Sequence, residues 1–307
     1  MPCIPRYPIF QKLKLNHKSG IEKITHKFFP YSDYNFTSLW TYNTDESLEI
    51  SLLNNNLVVK FVDYLTNKPF YSFIGNNQII RTANILINLA IKKNFPPLLK
   101  LIGEQVIKSE KKINNFFLIK EDSDNHDYIV SAKDIAILDH LKFKRKRYLV
   151  DRFKNKYPGY TVKRIDLRNP IYQKMFLDFF LVWEKSMNKK KSETHNEIEA
   201  IKRLLKNIDI LKEEALGIFL NNKLIAINAF EICHKSYGVS SFQKADKQYT
   251  GVYAMISHET AKHLHSKGIK FINYEQDLGI EGLRLSKSLW KPIHFLKKYI
   301  IAPKTGI

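Results

Sequence analysis

Two segments of this chain share one pattern, and the repeat limits the possible folds more than any other feature. Residues 48–63 read LEISLLNNNLVVKFVD, and residues 216–231 read LGIFLNNKLIAINAFE. Each has apolar runs on both sides of an asparagine pair, Asn54-Asn55 in the first and Asn221-Asn222 in the second. Asparagine tolerates the positive φ that a tight hairpin requires. Each segment therefore predicts a β-hairpin, and their similarity indicates an internal duplication.

The segments after the two hairpins also follow a common order. Each hairpin is followed by a predicted strand, a helix and a second strand, at 70–74, 79–90 and 98–102 in the first copy and at 237–242, 251–265 and from 269 in the second. A strand-helix-strand unit implies a right-handed crossover and a parallel pair within an otherwise antiparallel sheet. The predicted fold class is mixed α/β, with two similar domains at 1–136 and 137–307.

A strongly basic segment separates the two copies. Residues 138–160, LDHLKFKRKRYLVDRFKNKYPGY, predict a long amphipathic helix that ends at Pro158-Gly159. This helix either binds a phosphate backbone or an anionic membrane surface, or is a solvated helix between domains. The candidate nucleic-acid or membrane contacts are Lys142, Lys144, Arg145, Lys146, Arg147 and Arg152.

The composition adds few constraints. The formal net charge is +20, which suits a polyanionic partner, but most of the excess is lysine in a chain rich in asparagine and isoleucine, as an AT-rich genome also produces. Two cysteines, Cys3 and Cys233, support neither a disulfide framework nor a zinc site. No membrane span or secretory signal is recognisable. The expected location is the cytoplasm, with peripheral association at the inner membrane face as the alternative.

The helix that begins near Gly251 is the candidate site for a phosphate or carboxylate. Its first backbone amides and its partial positive charge favour anions. The candidate donor-binding residues are Gly251, Val252, Tyr253 and the preceding Lys244. His258 and His263 on the same helix lie about 140° apart around its axis, so they cannot share a metal, and no metal site is predicted.

The candidate catalytic residues follow the last strand of the second copy. Residues 270–287 read KFINYEQDLGIEGLRLSK, in which Glu275, Asp277, Arg284 and Lys287 surround two glycines. One carboxylate could act as a general base while the cations hold a carbonyl oxygen or a phosphate. The alternative is a solvated turn whose charges pair with each other.

The chain resembles a bacterial family related to the C-terminal catalytic domain of phosphatidylglycerol lysyltransferases, and more distantly the Fem-type aminoacyltransferases. The resemblance rests on motifs in the family's order over nearly the whole chain: FTSLW at 36–40, FYSFIGNN at 70–77, YPGY at 157–160, LIAINAF at 224–230 and NYEQDLGIEGLRLSK at 273–287. It implies two tandem GNAT-like domains. It also implies transfer of an aminoacyl group from aminoacyl-tRNA to a hydroxyl or amine, without a covalent enzyme intermediate or a tightly bound cofactor.

Two other functions stay open at this point. Acyl-CoA is the alternative donor, although the segment KADKQYTGVY at 244–253 has one glycine where GNAT acetyltransferases carry a pattern like RxxGxG around the pyrophosphate. A module without catalytic activity that binds RNA or a membrane through the basic helix is the third interpretation.

Overall fold

The chain folds into two compact units. A computed structural model describes residues 4–63, 66–187, 191–234 and 236–304. The first unit comprises Met1–Asp127, Gln276–Glu281 and Phe295–Ile307, and the second comprises Tyr128–Glu275 and Gly282–His294. The chain thus leaves the second unit twice after residue 275, which a single boundary between residues 136 and 137 does not describe.

The described residues form fourteen strands and twelve α-helices. The strands are β1 (Gln11–Lys12), β2 (Glu49–Leu53), β3 (Asn56–Val62), β4 (Pro69–Ile74), β5 (Leu99–Gly103), β6 (Phe117–Glu121), β7 (Asp127–Ser131), β8 (Thr161–Ile165), β9 (Glu214–Leu220), β10 (Lys223–His234), β11 (Tyr237–Ala245), β12 (Phe271–Asn273), β13 (His294–Leu296) and β14 (Lys298–Pro303). The helices are α1 (Lys18–Thr25), α2 (Phe36–Thr41), α3 (Ile79–Lys92), α4 (Glu104–Ser109), α5 (Ile113–Phe116), α6 (Ala132–Ile137), α7 (Lys144–Lys156), α8 (Pro170–Ser186), α9 (Lys191–Lys206), α10 (Ile208–Leu211), α11 (Val252–Ser266) and α12 (Glu281–Ser288). None of these helices is both long and apolar enough to cross a bilayer.

Each unit is built on a seven-stranded mixed sheet. The strand order is β1-β2-β3-β4-β5-β14-β6 in the first sheet and β13-β7-β12-β11-β10-β9-β8 in the second. The C-terminal strand β14 pairs with both β5 and β6, so the end of the chain completes the first sheet. This long-range pairing explains the interrupted units, because local sequence patterns do not report which distant strand fills a gap in a sheet.

Both predicted hairpins are confirmed. β2 pairs with β3 around Asn54 and Asn55, whose φ angles are 51° and 63°. β9 pairs with β10 around Asn221 and Asn222, whose φ angles are 50° and 61°. Two successive left-handed residues form the turn that matches the twist of a two-stranded ribbon, which explains the asparagine pairs.

The strand-helix-strand units are also confirmed. β4 and β5 are parallel and flank α3, and β11 and β12 are parallel and flank α11. α11 buries apolar side chains against the second sheet, including Met255, Ile256 and Leu264. Burial of each such side chain stabilises the fold by about 1.5–3 kcal/mol.

The basic helix is shorter than predicted. Leu138 adopts a left-handed conformation with φ 56° and ends α6. A 3-10 helix follows at Leu141–Phe143, and α7 begins only at Lys144. The left-handed residue interrupts what the sequence pattern suggested was one helix.

A buried ion cluster joins distant segments of the first unit. The Lys298 ammonium lies 2.7 Å from Asp127 Oδ1 and is also ion-paired with Asp33, and both Lys298 and Asp127 are fully buried. The Ser32 hydroxyl and backbone N–H donate to Asp127 at 2.6 and 2.8 Å. Burial lowers the pKa of Lys298, but the two carboxylates outweigh that effect and raise it. Lys298 is therefore held as a cation inside the unit.

Candidate functional site

The pairing of the two parallel strands of the second unit ends before β11 does. β11 and β12 pair at three positions, of which the last is Val239 with Asn273, and β11 then continues to Ala245. We call the region where this pairing ends, residues 240–245 and 274–275, the strand opening. The carboxyl ends of parallel strands are a common place for ligands because polar groups and backbone donors converge there. The strand opening is therefore the candidate site of the second unit.

The predicted catalytic residues are divided between the two units. Glu275 lies at the strand opening, with a left-handed φ of 58°, and its backbone N–H donates to Asn273 Oδ1 at 2.6 Å. Asp277 belongs to the first unit, where it is buried and accepts a hydrogen bond from the Gly279 N–H at 2.8 Å. Arg284 and Lys287 lie on α12 in the second unit, exposed and partly exposed respectively. Their catalytic roles stay predictions.

Gly251 marks the start of α11, as predicted, but neighbouring protein atoms occupy its surroundings. Its φ is 87°, and a Cβ at this position would lie 2.2 Å from the Leu149 carbonyl oxygen on α7. The Thr250 N–H donates to the Tyr157 hydroxyl at 3.3 Å, and the Val252 N–H donates to the Tyr249 carbonyl at 3.1 Å. Close packing of α7 therefore accounts for the glycine without a bound phosphate. The donor-binding role of Gly251 and the buried Val252 stays a prediction.

Replacing Gly251 by alanine should destabilise the protein by about 2–4 kcal/mol, because the left-handed backbone and the approach of Leu149 add their costs. Gly268→Ala is the matched control, since Gly268 has φ 80° but nothing within 4 Å of its Cβ position. Urea unfolding of both variants measures the difference. Equal destabilisation of the two variants would contradict the close-packing explanation.

Lys244 and Tyr253 belong to a buried polar network beside the strand opening. The Lys244 ammonium donates to Glu197 Oε1 at 2.6 Å and lies 4.2 Å from the ring centroid of Trp183. The Trp183 indole N–H donates to the Tyr253 hydroxyl at 2.8 Å. Burial raises the pKa of Tyr253, against hydrogen bonds to Trp183 and the Ala245 backbone that lower it. Lys244 thus connects α8 and α9 to the end of β11, and Tyr253 connects α8 to the first turn of α11.

Asp246 is a candidate site residue that no sequence motif marks. It directly follows β11, is 1% exposed, and accepts a hydrogen bond from the Gln248 N–H at Oδ1 at 3.1 Å. Its other oxygen, Oδ2, is buried and has no hydrogen-bond partner among the described residues. A buried carboxylate oxygen without a partner is costly, and a substrate proton donor would satisfy it. The only sequence signal was an acidic residue between two lysines before Gly251.

The basic residues before and on α7 are not equivalent. Lys142 is ion-paired with Asp134 at 3.1 Å, and Arg147 donates to the carbonyls of Leu138 and Asp139 at 2.7 and 3.0 Å. The Lys146 ammonium lies 4.1 Å from the ring centroid of Trp290, and burial, with help from Arg145, lowers its pKa to about 8.

Four other cations of α7 are available to a partner. Lys144, Arg145, Arg152 and Lys156 are exposed. Arg152 and Lys156 line a shallow groove of about 390 Å³ on the outer face of α7, together with Tyr148, Asp151 and Asn155.

Solved structures with the same architecture include the following three proteins. A conserved protein of unknown function from Bacteroides thetaiotaomicron is 28% identical, with a TM-score of 0.84 over 96% of this chain and 99% of that one. The C-terminal domain of a putative lysylphosphatidylglycerol synthetase from Agrobacterium fabrum is 10% identical, with a TM-score of 0.66 over 95% and 93%. A tandem GNAT protein from the clavulanic acid biosynthesis pathway is 8% identical, with a TM-score of 0.50 over 97% and 99%. The predicted mixed α/β, tandem GNAT-like fold is confirmed.

The sequence itself matches one family over most of its length. No curated protein matches it, but residues 29–302 match the family described as phosphatidylglycerol lysyltransferase, C-terminal. The family and the GNAT-like fold are those of acyltransferase domains. The chain belongs to the family of phosphatidylglycerol lysyltransferase C-terminal domains.

Proposed function

We propose that this protein transfers an aminoacyl group from aminoacyl-tRNA to a hydroxyl or amine acceptor, with the reaction at the strand opening of the second unit. The observation that carries the proposal is the buried carboxylate of Asp246 at the end of β11, one oxygen of which has no hydrogen-bond partner in the described part of the chain. Transfer from an ester to a hydroxyl or amine requires a group that accepts the proton of the nucleophile. Asp246 Oδ2 has the free acceptor capacity for that role.

The reaction balances without a covalent enzyme intermediate. The acceptor oxygen or nitrogen forms a bond to the aminoacyl carbonyl carbon, and its proton passes to Asp246 Oδ2. The ester bond between that carbon and the ribose oxygen of the tRNA then breaks. The proton returns from Asp246 to the ribose oxygen, so that free tRNA leaves with its hydroxyl restored and the carboxylate is regenerated.

The packing around Gly251 supports aminoacyl-tRNA over acyl-CoA as the donor. A pyrophosphate at the start of α11 needs free backbone donors, whereas Thr250 and Val252 already donate to protein oxygens.

Incubation with charged total tRNA and with acyl-CoA in parallel, each with a mixture of hydroxyl and amine acceptors, tests the choice of donor. We expect acceptor-dependent deacylation of the tRNA. Consumption of acyl-CoA with the tRNA ester intact would contradict the proposal.

The exposed cations of α7 form the proposed contact with the tRNA backbone. Charge reversal at Arg145, Arg152 and Lys156 should weaken tRNA binding and reduce the slope of log K against log salt, by about 0.7–0.9 for each phosphate that is no longer neutralised. Filter binding at several salt concentrations measures both quantities. The control variant reverses three exposed lysines elsewhere in the second unit, Lys185, Lys206 and Lys223, and should change the slope much less. An equal effect of the two triple variants would indicate only a net-charge effect.

A further inference from the structure

A second buried carboxyl group lies in the second unit, and the reaction proposed above does not use it. Glu213 immediately precedes β9 and is 6% exposed. The Ser241 hydroxyl on β11 donates to Glu213 Oε1 at 2.5 Å. Glu213 Oε2 is buried and has no hydrogen-bond partner among the described residues. Oε1 of Glu213 therefore has a hydrogen-bond donor, whereas Oε2 has none among the described residues.

A bulge in β11 orients the Ser241 hydroxyl that donates to Glu213. β10 and β11 pair Phe230 with Ser240 and Ala229 with Phe242, so Ser241 is an extra residue without an opposite partner in the ladder. Such bulges redirect a side chain and are frequent beside functional sites. Ser241 is also one of the residues that line the strand opening. Through Ser241, Glu213 is thus attached to the strand opening, where the reaction is proposed to take place.

The surroundings of Glu213 are acidic. Burial is the largest cause that raises its pKa well above the usual value, and Glu231 on β10 and Glu275 after β12 raise it further. These residues come from neighbouring strands, since β10 pairs with β11 and β11 pairs with β12. A positive charge beside Glu213 would be favoured by all three carboxyl groups.

A purely structural role does not account for this arrangement. Burial of a carboxyl oxygen without a partner costs about 1–3 kcal/mol. A glutamine or an apolar residue would fill the same space and would not be repelled by the neighbouring carboxylates. An ammonium group supplies what is missing, because it carries three hydrogen-bond donors and a positive charge. A neutral ligand would supply a donor but would gain nothing from Glu231 and Glu275.

We propose that Glu213 and Ser241 form a subsite at the strand opening that binds an ammonium group of the substrate. The subsite rests on the proposed function, in which the ammonium is either the α-amino group or a cationic side chain of the aminoacyl donor. Asp246 handles the proton of the acceptor, whereas Glu213 holds the donor. The subsite selects substrates by charge.

Equilibrium binding of small amides tests the subsite without any turnover. Alaninamide presents an α-ammonium, N-acetyl-lysinamide presents only a side-chain ammonium, and N-acetylalaninamide is neutral. Isothermal titration calorimetry should show that the wild-type protein binds at least one of the two cationic amides and binds the neutral amide at least tenfold more weakly. The cationic amide that binds more tightly identifies the source of the ammonium.

Three variants assign the binding to the Glu213–Ser241 pair. Glu213→Gln keeps the shape, and should lower the affinity for the preferred cationic amide at least tenfold. Glu214→Gln is the matched control, because Glu214 is the adjacent residue and bonds to Lys267 and His263 instead. It should bind the amide like the wild type, and Ser241→Ala should show a smaller reduction than Glu213→Gln. Circular dichroism establishes that each variant is folded.

Several results would overturn the subsite. These are no binding of either cationic amide to the wild type, equal binding of the neutral amide, or an unchanged affinity of folded Glu213→Gln. If aminoacyl-tRNA is consumed while Glu213→Gln binds and reacts normally, the subsite fails and the proposed function stands. If the cationic amides bind through Glu213 but no tRNA ester is consumed, the proposed donor is wrong and the ammonium subsite stands.

Discussion

Asp246→Asn should lower the kcat of aminoacyl transfer by about 10²–10⁴-fold, the range typical for the loss of a general base. Asparagine keeps the oxygen that accepts the Gln248 N–H, so the turn after β11 should survive. The amide that replaces Oδ2 cannot accept a proton from the attacking acceptor. Because Asp246 accepts the proton only in the transition state, its loss should change KM for the donor little. Steady-state transfer from charged tRNA measures both constants.

The control for this variant is Asp209→Asn on the surface of the second unit. Asp209 is exposed and ion-paired with Arg168 at 3.0 Å, so its replacement should leave kcat unchanged. Thermal unfolding of both variants separates a chemical effect from a loss of fold. A folded Asp246→Asn protein with wild-type kcat would remove Asp246 from the mechanism and return the base role to Glu275 or Asp277.

Lys298→Met should destabilise the first unit by about 3–5 kcal/mol, the typical cost of breaking a buried ion pair from one side. The methionine fits the space of the lysine stem but leaves Asp127 and Asp33 without the cation that both contact. Asp127 is fully buried, so water cannot replace the ammonium without opening the unit. Urea unfolding monitored by tryptophan fluorescence measures the decrease in stability.

The adjacent Lys297→Met is the matched control for the ion cluster. Lys297 pairs with Glu121 at 3.0 Å at the surface, and pairs of that kind contribute little. The double variant Lys298→Met with Asp127→Asn should recover part of the stability, because the amide removes one uncompensated charge. A Lys298→Met protein as stable as Lys297→Met would show that the cluster does not hold the first unit together.

The sequence predicted those parts of the fold that depend on neighbours along the chain. The asparagine pairs at 54–55 and 221–222 predicted both hairpins, because the left-handed turn is a property of two adjacent residues. Helical periodicity predicted α3 and α11 to within a few residues. The boundary at 136/137 did not anticipate β14, since the pairing of Tyr299 with Ile102 and Glu121 spans nearly two hundred residues.

The candidate site was only partly visible in the sequence. The sequence predicts an anion-binding helix start at Gly251 and Lys244, and the structure places Lys244 near the end of β11 and Gly251 at the start of α11. Their immediate neighbours, Leu149 for Gly251 and Glu197 with Trp183 for Lys244, come from other helices. Asp246 carries no spacing motif. It is recognised by its burial and by an oxygen that has neither a hydrogen-bond partner nor an ion-pair partner among the described residues, whereas the buried Asp33 is ion-paired with Lys298.

By itself the sequence determined the duplicated strand and helix order, the two asparagine turns and the cationic character of α7, because these depend on local conformation and composition. Only the tertiary structure decided which polar groups are removed from water and which of them have partners. Desolvation depends on all the segments that surround a side chain. Lys298 is therefore a buried cation, while Asp246 and Glu213 each have one buried oxygen with no hydrogen-bond partner within the ranges that the structure describes.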